Sequence, residues 1–383
     1  MKLLYITSLS GHRINSFMRS AIVAANEENL DMTIACNMTN ADKILYEQDC
    51  KQYGIKMAHI DFDRNPLSRM NMSAKKQLTK LIRENNFDII HCNTPIGGVL
   101  GRICGKEQNV PYIIYMAHGF HFWHGAPIKN WLLYYPVEKM LAYYTDLIIT
   151  INQDDYILAK EKLKAKKIEY VHGVGVDLSK FDTKKNVNPP DFRNSICCKS
   201  EDILLLSVGE LNDNKNQSIV IRAMSKLKKD KVHYIVAGQG GKKKELLNLA
   251  EKLGVKDRVH LLGYRSDVLQ IYREADIFVF PSKREGLPSS IMEAMASGKP
   301  CVVSRIRGAT DLIDEGKGGY FFDPSNVDEL VSVLEKTLNQ KEYWSKMGAY
   351  NSKKVVKFGF DVAVEELRTI YREAISFIKK QKD

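Results

Sequence analysis

No apolar run in this sequence approaches the roughly 20 residues that a membrane-spanning helix needs. The apolar start, Met1 to Thr7, is short and lacks a small-residue cleavage site. It runs into Ser8-Leu9-Ser10-Gly11 and reads as a first strand rather than a secretion signal. The seven cysteines are odd in number and none has the C-x-x-C spacing of a metal site, which points to reduced thiols in a cytoplasmic protein. Internal repeats and low-complexity tracts are absent. The dinucleotide fingerprint G-x-G-x-x-G is missing, as is the phosphate loop G-x-x-x-x-G-K-[ST], so a nicotinamide enzyme is disfavoured. Acidic side chains are in deficit: 57 Lys and Arg face 46 Asp and Glu, a net charge of +11 that calls for an anionic partner. Neither half of the chain is a basic tail, so local clusters must carry that function.

What is present is core material for two domains. The 383 residues are 44% hydrophobic and 27% charged, and two domains of about 180 residues are the natural prior. Short β-branched runs alternate with amphipathic helical stretches. Expected strands are 3–7, 32–36, 88–92, 112–116 and 147–151, then 203–208, 233–237, 258–262, 277–280 and 300–303. Alternation of this kind implies α/β architecture: two doubly wound, Rossmann-like domains with parallel sheets. The break falls near 182–200, where Lys184-Lys185-Asn186 and Asn188-Pro189-Pro190 interrupt both periodicities. The expected domains are therefore 1–182 and 183–359. A final helix at 360–383, with Val364, Leu367, Ile370, Tyr371, Ile375 and Ile378 on one stripe, is expected to pack back on the first. Ligands of such sheets bind outside the carboxyl ends of the strands, so the facing cleft and its loops are where to search.

The strongest local signal is Arg284-Glu285-Gly286-Leu287-Pro288-Ser289-Ser290-Ile291-Met292-Glu293, running on to Gly298-Lys299-Pro300. Gly286 and Pro288 make an irregular turn. Ser289 or Ser290 is expected to cap a helix that Gly298 stops. The helix N-terminus offers free N–H groups and a positive dipole end to a diphosphate. Glu285 before the helix and Glu293 in its first turn would flank the ligand and accept hydrogen bonds from sugar and ribose hydroxyls. The spacing Ser290-x-x-Glu293 is also that of a capping box, which leaves the role of Glu293 open. A second loop, Val208-Gly209-Glu210 to Lys215-Asn216, places a lysine near a helix start, where it either neutralises phosphate or is merely solvated. In a third loop Gly238, Gly240 and Gly241 let backbone approach a ligand.

In the first half, Gly11 and the loop Asn93-Thr94-Pro95-Ile96-Gly97 are candidate acceptor-side elements. His118, His121 and His124 follow a strand, but three histidines without carboxylate or cysteine make a weak metal signal. Residues 64–83 carry Arg64, Arg69, Lys75, Lys76, Lys80 and Arg83 and no acidic side chain, which suits an anionic lipid surface. Residues 120–135 hold Phe122, Trp123, Trp131, Leu132, Tyr134 and Tyr135, an interfacial composition. Nucleic acid would use the same charges, yet no binding motif accompanies them.

The run E-G-L-P-S-S-I-M-E-A-M-A-S-G-K-P, preceded by V-G-E-L-N-D-N-K-N and V-A-G-Q-G-G, resembles the family 4 glycosyltransferases, most closely the bacterial capsule, exopolysaccharide and lipid-linked oligosaccharide branch. The resemblance implies the GT-B architecture, retention of anomeric configuration and no required metal. It implies transfer of a hexose or N-acetylhexosamine from a UDP-sugar to a polyprenyl-diphosphate-linked saccharide, by a cytoplasmic enzyme held peripherally at the inner face of the cell membrane. Glu285 resembles the glutamate on the donor sugar, and Glu293 the one on the ribose. Gly286, Leu287 and Ser289 would line sugar and phosphates, and Lys215 matches the basic residue on the diphosphate. Gly263-Tyr264-Arg265 lies where the base is held. His118 matches a histidine that would donate a hydrogen bond to the leaving phosphate. One departure stands out: Glu210 occupies a position where many members have arginine, and Arg284 and Arg265 are the candidates to replace that charge. Two carboxylates near a sugar also invite a glycosidase, but both sit at one helix N-terminus rather than across a glycosidic bond. The rival from another class is a non-catalytic, basic nucleotide- or nucleic-acid-binding protein.

Overall fold

The computed structural model describes residues 1–8, 11, 13–181, 192–227 and 229–382. The chain forms two compact units, Met1–Gly175 with Phe360–Asp383, and Val176–Gly359. The expected boundary at 182/183 lies outside the described residues. Beyond it, Phe192, Ile196 and Cys198 are buried in the core of the second unit rather than forming a connector.

The first unit is built on strands β1 (Lys2–Ile6), β2 (Asp31–Cys36), β3 (Lys56–His59), β4 (Ile89–Asn93), β5 (Tyr112–Ala117), β6 (Leu147–Thr150) and β7 (Lys167–Tyr170). They form one sheet in the order β3-β2-β1-β4-β5-β6-β7, every pair parallel. The second unit repeats the plan with β8 (Ile203–Val208), β9 (Val232–Ala237), β10 (Val259–Gly263), β11 (Ile277–Phe280), β12 (Cys301–Ser304) and β13 (Gly319–Phe322), in the order β10-β9-β8-β11-β12-β13. Central strands such as β5 (YIIYMA) and β12 (CVVS) are buried at every position, as helices on both faces of a parallel sheet require. Three strands were not anticipated: β3, β7 and β13, each four residues long and each at a sheet edge. β3 (KMAH) and β7 (KIEY) carry polar residues because an edge is covered less completely.

Strand order reverses between β1 and β4 in the first unit and between β8 and β11 in the second. At such a switch point the flanking helices leave on opposite faces, and a crevice opens at the carboxyl ends. The loops after β1, β4, β8 and β11 therefore line the two crevices, and they contain Gly11, Asn93-Thr94, Gly209 and Glu285.

The helix Phe360–Lys382 belongs to the first unit. It buries Val364, Leu367, Ile370, Tyr371 and Ile378 and lies against the helix Ser16–Glu27. Arg368 Nε reaches Glu28 Oε1 at 3.1 Å, and Arg372 Nε the same oxygen at 2.9 Å. Beneath it, the Tyr371 hydroxyl stands 2.8 Å from Nδ1 of the fully buried His91 on β4.

Candidate functional site

In the second unit, three strand-end loops close on one another before any ligand is considered. Gly209 N donates to Ala237 O (3.0 Å) and Leu211 N to Gln239 O (3.0 Å), tying the loop after β8 to the loop after β9. This approach is possible only because Gly238 and Gly240 lack side chains: a Cβ would fall 1.9 Å from Gly209 O in the first case and 2.4 Å from Leu211 O in the second. What these glycines admit is neighbouring backbone. On the other side, a Cβ on Gly308 would fall 2.0 Å from Gly286 O, so the loop after β12 presses on the Glu285 loop.

Lys215 lies along Gly209, where a Cβ would fall 3.3 Å from its Cε, and its ammonium reaches Glu285 Oε1 at 2.8 Å. Asn214 Nδ2 donates to the same carboxylate oxygen (3.3 Å) and to Arg284 O (2.9 Å). Both partners of the ion pair are partly exposed, with side chains 23% and 19% accessible, so the pair is reachable from solvent yet held in one geometry. Arg307, which the sequence reading passed over, is buried and donates from Nε to Glu285 O at 3.0 Å. Its only sequence signal was an arginine beside a glycine after a strand.

The helix that follows spans Ser289–Ala296. Its N-cap is Pro288 and no side chain caps it, so neither serine plays the expected role: Ser289 is the first helical residue. A proline N-cap has no side-chain acceptor for the first-turn N–H groups, and those amides have no carbonyl within the helix to bind. Glu293 stands in the second turn, not the first, and makes no capping box. Its Oε2 accepts from the Tyr272 hydroxyl at 3.0 Å, and burial raises its pKa above the ordinary carboxylate value. Gly298, at φ 67°, ends the helix as expected. Arg265 is paired with Asp267, Nε to Oδ1 at 2.7 Å, and its charge is satisfied within its own loop. Arg284 and Glu210 are exposed.

In the first unit the loops after β1, β4 and β5 meet. Thr94 Oγ1 accepts from Ser8 N at 3.0 Å, and a Cβ on Gly97 would fall 2.9 Å from that oxygen. Thr94 has φ 63°, a left-handed value that costs a β-branched residue on the order of 1–3 kcal/mol. Asn93 Oδ1 lies 2.9 Å from Nε2 of His118. Since that oxygen only accepts, Nε2 carries the proton and Nδ1 keeps an open lone pair. Burial lowers the His118 pKa to about 4, so the ring is neutral at pH 7. Asn93, Thr94, Gly97 and His118 are thus brought together. Gly11 is described, but its neighbours Leu9, Ser10 and His12 lie outside the described residues. The three histidines of the H-x-x-H-x-x-H run do not converge: His121 packs on Tyr134, and His124 is exposed.

The aromatic segment read as interfacial is divided. Phe122 is fully buried, with Trp131 and Tyr135 packed against it, so these rings are core. The exposed apolar face lies on the same helix, Ile128–Ala142, at Ile128, Leu132, Leu133 and Met140, and on its C-cap Tyr143.

Comparison with known proteins follows the same division. The model of the family Glycosyl transferases group 1 matches residues 190–354, and that of Glycosyl transferase 4-like matches residues 2–152. The chain is 35% identical over 328 residues to EpsD of Bacillus subtilis, covering 84% of this chain and 86% of that one. It is 28% identical over 316 residues to an Escherichia coli UDP-Gal:α-D-GlcNAc-diphosphoundecaprenol α-1,3-galactosyltransferase, covering 80% of each. The crystal structure of Anabaena HepE with UDP-glucose aligns with a TM-score of 0.77 at 19% identity, over 97% of this chain and 100% of that one, which establishes the same two-domain fold. On its identity to EpsD over most of both lengths and on the two models, the chain belongs to the family 4 glycosyltransferases of the GT-B fold, in the branch of bacterial surface-polysaccharide and lipid-linked oligosaccharide enzymes.

Proposed function

We propose that this enzyme transfers a hexose or N-acetylhexosamine, with retention, from a UDP-sugar held by the second unit to a polyprenyl-diphosphate-linked saccharide held by the first. The observation that carries the reading is the Lys215–Glu285 pair at the β8/β11 switch point, directly before the uncapped N-terminus of Ser289–Ala296. That arrangement offers a carboxylate to sugar hydroxyls and an ammonium plus free amides to a diphosphate, all within one loop system. Glu293, adjoining the same turn, accepts from the ribose. His118, neutral and held 2.9 Å from Asn93 Oδ1, is the first unit's candidate to stand near the donor sugar and leaving diphosphate. No metal is assigned a step. The named acceptor and donor of the Escherichia coli relative support this substrate class.

Peripheral membrane contact is part of the reading. The exposed apolar residues of Ile128–Ala142 sit among Lys129 and Lys139, while Met70–Asn85 exposes Met72 beside Lys76, Lys80 and Arg83. Such a surface supports a reading in which the enzyme works at the cytoplasmic leaflet, with anionic lipid rather than nucleic acid as the partner of its charge.

One experiment addresses both points. Incubated with a panel of UDP-sugars, the protein is expected to release UDP slowly alone and faster with anionic vesicles carrying bacterial lipid extract, and high salt should remove the stimulation. No release from any sugar nucleotide, with tight nucleic-acid binding instead, would overturn the enzyme reading in favour of a non-catalytic binding protein.

A further inference from the structure

Cysteine spacing gives no metal signal, yet the second unit gathers three metal-ligating side chains from three separate segments. His233 is the second residue of β9 and His260 the second of β10. Residue 260 lies level with Ile235 in the parallel register, and 233 and 235 share a face, so the two imidazoles project to the same side. Their rings stack at 5.3 Å with Nδ1 of His233 3.0 Å from Nε2 of His260. The buried thiol of Cys198 stands 3.9 Å from the same Nε2, and all three ligand atoms lie within 4.8 Å of one another.

We propose that Cys198, His233 and His260 bind a zinc-class divalent cation at a structural site remote from the donor loops. Tetrahedral zinc, with bonds of about 2.0–2.3 Å, sets its nitrogen ligands about 3.3 Å apart and nitrogen from sulfur about 3.6 Å, close to the spacings seen. The remaining nitrogen of His233, Nε2, lies 3.5 Å from Asp202 Oδ2, in the position of a carboxylate that orients a metal-bound histidine. Asp202 is itself held by the Lys199 amide at 2.7 Å. One thiolate and one carboxylate balance the dication. The nearest cations are engaged elsewhere, Arg193 with Asp276 and Arg258 with the carbonyl of Lys229. The cluster sits at the amino ends of β9 and β10, about 16 Å by strand rise from Gly238 beyond β9 and about 10 Å from Gly263 at the end of β10. The bound ion ties the segment before β8 to the β9–β10 edge and takes no part in transfer.

Binding displaces the thiol proton: the sulfur–hydrogen bond breaks, a sulfur–zinc bond forms, and the proton goes to solvent. Because the thiolate is the form that binds the metal, about one proton should be released per zinc bound at neutral pH. The test uses the full chain stripped with chelator and titrated with cobalt(II), then zinc. One equivalent of cobalt should give thiolate charge-transfer absorption in the near ultraviolet with the visible bands of a tetrahedral site, and zinc should bleach both. Cys198→Ser should lose the charge-transfer band and the proton release, while Asp202→Asn, a positioning change, should weaken zinc binding roughly 10–100-fold. UDP release by the stripped protein should be unchanged, which separates this test from that of the donor site. Failure of the wild-type chain to develop the cobalt band, or its persistence in Cys198→Ser, would overturn the proposal, and the first result needs no variant to fold.

Discussion

Lys215 and Glu285 are joined at 2.8 Å, and under the proposed function this pair opens when the sugar nucleotide binds. A hydrogen bond to a charged group contributes about 1.5–3 kcal/mol, so the two residues should fail in different ways when altered. Glu285→Ala is expected to lower turnover roughly 100-fold or more, if it stabilises the donor sugar chiefly in the transition state. Lys215→Met is expected to raise KM for the UDP-sugar about 10-fold with little change in melting temperature, because the pair is partly solvent-exposed. Steady-state kinetics and calorimetry on the two variants check this. Full turnover in Glu285→Ala would remove that residue from the site, and an unchanged KM in Lys215→Met would remove the lysine. The residue scale was only partly legible beforehand. Glu285 and Lys215 announce themselves through glycine turns at strand ends. Arg307 does not, since its contact to Glu285 O joins loops after two different strands. The Cys198–His233–His260 cluster was invisible for the same reason: its members are 62 and 27 positions apart, and only strand register unites them.

Among the elements, the helix Phe360–Lys382 makes the sharpest commitment, through Tyr371. His91 is fully buried, and its other ring nitrogen, Nε2, has no hydrogen-bond partner among the described residues, so the tyrosine hydroxyl is what satisfies the imidazole. Tyr371→Phe keeps the ring and deletes that oxygen, leaving a buried polar atom unpaired at a cost of about 1–3 kcal/mol. A drop of several degrees in the melting transition of the first unit is expected in scanning calorimetry, and an unchanged transition would mean the contact contributes nothing. The stripe that buries this helix was readable from its 3.6-residue period, as were the central strands from their continuous apolar runs. The edge strands β3 and β7 were not, because four residues of mixed polarity carry too little pattern to separate strand from loop. The start of Ser289–Ala296 was misplaced by a residue or two because serine is a strong capping residue in general, whereas here Pro288 already has the extended backbone that the cap position needs.

For the molecule as a whole, buried histidines set the response to acid. Burial depresses His91 to about 3 and His118 to about 4, against an ordinary value of 6.5. The unfolded chain therefore binds protons that the folded chain refuses, so this contribution is complete above pH 6.5 and is lost progressively as pH falls toward 4. Glu293, raised by burial, works in the opposite sense but resides in the second unit. The first unit is expected to lose stability between pH 7 and 5 in urea titrations followed by tryptophan fluorescence, since two of the three tryptophans, Trp123 and Trp131, belong to it. A midpoint that stays constant across that range would contradict the assignment of both histidines as neutral.

The return of Phe360–Lys382 to the first unit also has a meaning in time. A growing chain presents the sheet of Met1–Gly175 to the cell before Val176–Gly359 has been made, and the helix that covers Tyr112 and His91 follows both. At about 5–20 residues per second the interval is roughly 10–40 s. Throughout it, an apolar face stands open on the ribosome-bound chain, a window for chaperone capture that closes only once Phe360–Lys382 has emerged.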